Sequence, residues 1–90
     1  MHLVHASLKA ASGGSGTESD AHLLQDLLWA HAFPGHGLEH LRVRAAAHGA
    51  DLVLFIRAET EAIAAARAHS LLSNALTPLG ALGYRVVSLP

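Results

Sequence analysis

The chain has 90 residues, 51% of them hydrophobic, with six Lys plus Arg against seven Asp plus Glu, eight His and no cysteine. A single domain of that size has a modest core and gains from association, and the absent cysteine excludes disulfide frameworks, thiolate metal sites and cysteine nucleophiles. A net charge of -1 lacks the basic excess of nucleic-acid binders, which makes nucleic acid an unfavoured partner.

The start, "MHLVHASLKAASGG", has no basic segment followed by an apolar run, and no later stretch approaches the roughly 20 apolar residues of a membrane span. The expectation is a soluble, cytoplasmic chain without membrane contact. Within it, residues 2–8 read as a short strand, Leu3 and Val4 between His2 and His5. A small, flexible connector, "KAASGGSG", leads to Thr17, whose hydroxyl is placed to accept from the amide of Asp20 and so cap a helix over 18–32. At about 100° per residue Leu23, Leu24, Leu27 and Leu28 form its buried stripe, and Pro34 ends it by disfavouring helical geometry at Phe33.

After the turn "FPGHG", residues 38–47 alternate, with Leu41, Val43 and Ala45 against His40, Arg42 and Arg44, the period-two signature of a strand with one buried side. Gly49 and Ala50 suit the centre of a type II′ hairpin turn, which sets Ala45 opposite Leu54 and Val43 opposite Ile56. The strand that follows, over 51–58, breaks the alternation: Leu52 through Ile56 are apolar without interruption, so both of its faces ask to be covered. Thr60 caps a second helix over 60–76, with Ala64, Ala65, Ala68, Leu71, Leu72, Ala75 and Leu76 on one stripe, small enough for close approach to a sheet. "TPLGALG" ends that helix, and residues 84–89 form a last strand.

The order β-α-β-β-α-β across one domain, 1–90, is that of the ferredoxin-like α+β fold: a four-stranded antiparallel sheet with two helices on one face. Its usual strand order puts the third strand inside the sheet and the second and fourth at the edges. Leu52, Leu54 and Ile56 then face the helices, while Val53, Phe55 and Arg57 look the other way beside His40, Arg42 and Arg44. An apolar centre with a guanidinium rim is the composition of an association surface; Arg44 lying over the Phe55 ring is the partner-free arrangement.

The histidines set no metal centre. His36 and His40 span a turn, His2 and His5 point to opposite faces of a strand, and no carboxylate completes a set, so chelation should leave the protein unchanged. His31 falls within the leucine stripe near a helix end, the position of a structural histidine more often than a catalytic one. "SGGSGT" lacks the spacing of a phosphate loop and reads as a connector. Trp29 lies about half a turn from the leucines, placed either to pack on Phe33 and Pro34 or to anchor a partner.

With no complete catalytic set and no implied cofactor, the sequence reads first as a non-enzymatic interaction or accessory module. It would form a homodimer or bind a larger protein through Val53, Phe55, Arg57, Arg42, Arg44, His40 and Trp29. The alternative is a dimeric α+β-barrel enzyme or ligand-binding protein, with His31 or His40 moving a proton in a hydrophobic pocket.

Overall fold

The computed structural model describes residues 1–88. Strands β1 (His2–Ala10), β2 (Leu38–Ala46), β3 (Gly49–Ile56) and β4 (Tyr84–Ser88) form one antiparallel sheet in the order β2-β3-β1-β4. Helices α1 (Glu18–Ala30), α2 (Glu61–Asn74) and α3 (Leu76–Ala81) share one core with the inward side of that sheet. This is the ferredoxin-like α+β arrangement, with β3 and β1 inside and β2 and β4 at the edges. Residue 89, expected in the last strand, lies outside the described residues. Among the described residues no helix is long and apolar enough to cross a membrane.

Both caps form as the sequence implies: Thr17 Oγ1 accepts from the Asp20 amide at 3.1 Å, and Thr60 Oγ1 from the Ile63 amide at 3.1 Å. In β1, Val4, Ala6, Leu8 and Ala10 point into the core, as do Ala50, Leu52, Leu54 and Ile56 in β3. The alanines of α2, Ala64 and Ala68, are fully buried and let the helix lie close on β1 and β3.

The structure corrects several details. On α1 the buried line is Ala21, Leu24 and Leu28, and Leu23, assigned to the core stripe, is exposed. Leu23 precedes Leu24 by about 100° on the side away from the sheet. The helix after Thr60 stops at Asn74, and "TPLGALG" is the body of α3 instead of a break. Pro78 falls in the first turn of that helix, where a missing N–H costs no intrahelical bond. The change of direction at Ala75 leaves Leu76 exposed.

The β2–β3 hairpin closes on Ala47–His48, not on Gly49–Ala50, so Ala46 pairs with Gly49, Ala45 with Ala50, Val43 with Leu52 and Leu41 with Leu54. Gly49 is a strand residue with φ of 147°, and a Cβ there would meet the Leu8 carbonyl oxygen at 2.5 Å. Glycine serves here for close approach of β3 to β1 and not for the turn.

Candidate functional site

The helices cover one side of the sheet, and the outward side chains of the other side fall into cross-strand rows set by the register. His40, Phe55 and Leu3 form one row; Arg42, Val53 and His5 the next; Arg44, Asp51 and Ser7 the third. Beyond them Lys9 lies between Gly49 and Arg85. Five of the residues singled out from sequence, His40, Arg42, Arg44, Val53 and Phe55, therefore share this face.

Val53 and Phe55 are only half-buried although β3 is central, and what shields them is the side chains of the flanking strands. The His40 ring stands 5.0 Å from that of Phe55, tilted by 60°. Arg44, which the partner-free alternative set over the Phe55 ring, stands opposite Asp51, because the earlier turn slides β2 along β3. Leu3, in the same row as Phe55, is 53% exposed.

The opposite end of the face is cationic. Lys9, Arg42, Arg44 and Arg85 are all exposed, and among the described residues none of them forms an ion pair. Asp51 is the acid among them. Its Oδ1 accepts from His48 Nε2 at 2.9 Å and from the Ser7 hydroxyl at 3.3 Å. A shallow trough of about 580 Å³ runs over His5, Ser7, Arg42, Arg44, Asp51 and Val53. The order Ser7–Asp51–His48 puts the carboxylate between hydroxyl and imidazole, so the imidazole does not reach the serine proton as a nucleophile's base must. Among the described residues no group of three or more His, Asp or Glu is placed to hold a metal ion.

Arg57 and Trp29 lie elsewhere. Arg57 follows the end of β3, where its backbone amide donates to the Gly37 carbonyl at 2.8 Å and its guanidinium pairs with Glu39 at 3.2 Å. Both residues line a second hollow of about 500 Å³ with Phe33, Pro34, Leu38 and Arg67. Arg67 donates to the Arg57 carbonyl. Trp29 thus lines the same hollow as Phe33 and Pro34 and is itself partly exposed.

The histidines divide by role. His31 caps α1, its Nδ1 donating to the Leu27 carbonyl at 2.8 Å. His36, weighed from the sequence only as a metal-pair candidate with His40, is a buried histidine with a structural role; its Nδ1 accepts from the Phe33 amide at 2.9 Å and its ring stacks on Phe33 at 5.5 Å. That contact closes the 3₁₀ turn Pro34–His36 and aims the chain into β2. In the connector, Gly16 donates its amide to Ala46 at 3.0 Å, so that amide is already spent and does not cradle an anion.

On the open face, Leu3, His5, Ser7, Lys9 and Arg85 were missed as neighbours of the chosen residues. Their signal was present in "HLVHASLKA", where the odd positions alternate with Val4, Ala6 and Leu8. No family model, curated protein or solved structure matches this chain, so the open face is interpreted from its own geometry.

Proposed function

We propose that the chain is a non-enzymatic interaction module that self-associates, or seats a larger protein, through the open face of its sheet. The observation that carries this reading is the apolar patch of Leu3, Phe55 and Val53, spread over two adjacent rows on the side the helices leave bare and bordered by cations instead of by a second layer. Covering the exposed halves of Phe55 and Val53 supplies roughly half of the 1.5–3 kcal/mol that full burial of each side chain would give, before the cost of association. The cationic border adds orientation and selects the charge of what lands there.

The test is sedimentation or light scattering of the wild type and Phe55→Asp from about 10 µM to 1 mM, a range that covers modest interfaces. Association of the wild type, with Phe55→Asp monomeric and retaining its circular dichroism, supports the reading. A Phe55→Asp chain that unfolds would make Phe55 part of the fold's own support and overturn it, as would equal association of the two proteins. A wild type that stays monomeric removes self-association from the proposal.

A further inference from the structure

We infer that the element covering the open face is helix α1 of a second copy, in a head-to-tail contact. The inference rests on the proposed role of that face and goes beyond it by naming the occupant. Charge on this molecule is segregated by layer. Of its six Lys and Arg, Lys9, Arg42, Arg44 and Arg85 lie on the open face with Asp51; the other six acids lie elsewhere, accompanied by Arg57 and Arg67. Helix α1 contains Glu18, Asp20 and Asp26 and no Lys or Arg.

Two ways of pairing identical surfaces work against this distribution. Two open faces laid together with their strands parallel would oppose cation to cation, and laid antiparallel they would set Lys9, Arg44 and Arg85 over the apolar row of Leu3 and Phe55, so neither arrangement gives the cations a partner. Antiparallel pairing of two β2 edges would set Arg42 and Arg44 of one copy beside those of the other on one face, where directly opposed like charges destabilise a ladder. Arginines on an edge strand discourage that extension.

The outer side of α1 offers the complement. At about 100° per residue Glu18, Trp29, Asp26 and Leu23 fall within an arc of about 140° that faces away from the core. Leu23 is 52% exposed and Trp29 39% exposed, so the arc carries two large apolar groups beside two acids. Leu3, Val53 and Phe55 match the apolar pair, and Arg42 and Arg44 match the acids.

Dimensions agree as well. Thirteen residues of α1 make a helix of about 20 Å, and the eight residues of β3 run about 26 Å, so the helix lies along the strand without overhang. Because α1 and the open face are on opposite sides of the molecule, the contact is heterologous and leaves one helix and one face free at each end. Each sheet inside such a stack has helices on both faces, which answers the uninterrupted apolar run Leu52–Ile56.

Two variants separate the two sides of the contact. Arg42→Thr with Phe55→Thr blocks the sheet side while retaining strand-forming residues; Leu23→Lys with Asp26→Lys blocks the helix side at exposed positions of good helix propensity. Circular dichroism and thermal melts check that both fold. The wild type should grow in mass continuously with concentration, and its association constant should fall at least about tenfold between 50 and 500 mM salt as the charge pairs are screened.

Each variant alone should remain at 9.4 kDa, and an equimolar mixture should stop at a one-to-one dimer, the intact helix of one in the intact face of the other. If the helix variant associates as readily as the wild type, α1 is not the occupant, although the face remains the interface. If the sheet variant associates like the wild type, the role of the open face itself fails. A wild type that is monomeric at about 1 mM overturns the head-to-tail contact.

Discussion

Strand β3 presents two faces, each with large apolar side chains, that meet opposite fates. On one, Ala50, Leu52, Leu54 and Ile56 are sealed beneath helices; on the other, Val53 and Phe55 are half-covered by side chains of the same sheet. The first kind of cover is backbone-anchored and excludes water permanently. The second consists of a histidine ring, an arginine and a leucine that rotate aside at little cost. Apolarity alone does not distinguish a core from a contact surface; the rigidity of what lies over it does.

The largest expected effect separates those faces directly. Leu54→Ala should cost about 2–5 kcal/mol, because a fully buried leucine leaves a cavity, whereas Val53→Thr should change the stability of the monomer by about 0.5 kcal/mol or less. Urea denaturation of dilute protein measures both. Equal losses would show that the open face supports the fold as much as the buried one does.

A smaller effect comes from the inward side of β4. The Tyr84 hydroxyl donates to Asp20 Oδ2 at 2.8 Å, tying the sheet to α1. Burial, then the hydrogen bond to Asp20 and the negative charge of that carboxylate, push the phenol above its ordinary value of 10.0. With the folded value raised, the stabilisation is fully present below the unfolded value and is lost as pH rises through the folded one. Tyr84→Phe should therefore lose about 0.5–1.5 kcal/mol at neutral pH, and its stability should decline less than that of the wild type above pH 10. A parallel decline in the two proteins would exclude Tyr84 as the source.

The smallest effect belongs to the polar end of the open face. His48 and Asp51 are both close to half exposed, and exposed pairs contribute little, so Asp51→Asn should shift stability by no more than about 0.5 kcal/mol. A thermal melt is the measurement. A loss of several kcal/mol would place Asp51 with the core side of the comparison.

Element order and face assignment were legible because both depend on parity. Closing the hairpin at Ala47–His48 instead of Gly49–Ala50 slides β2 along β3 by four residues, an even number, so the paired side chains of the two strands keep their faces while their row partners change. That is why Val53, Phe55, Arg42 and Arg44 were grouped correctly and Arg44 was nevertheless set beside the wrong residue. Gly49 misled because glycine permits both a turn and a close approach, and only the position of Leu8 decides between them. The layering of charge was hidden for a similar reason: a net charge of -1 carries no information about which side of a sheet each cation occupies. Arg57 was misplaced because alternation was extended past the strand's end at Ile56, and His36 offered no periodic signal because its burial comes from a single non-repeating turn.

The seat of Gly16 has a consequence for how this sequence can change over generations. A Cβ at Gly16 would lie 2.0 Å from the Gly49 carbonyl oxygen, whereas one at Gly14 meets only Ser12 Oγ at 3.6 Å, an ordinary contact. The connector between β1 and α1 is thus unequal along its length. Substitutions at Gly14 drift at little cost, whereas Gly13 is held to glycine by its own φ of 76° and the last step before Thr17 by a strand that lies far away in the chain. What reads as low-complexity filler is free at some steps and fixed at others, and its last step is fixed by the β2–β3 hairpin rather than by the connector's own composition.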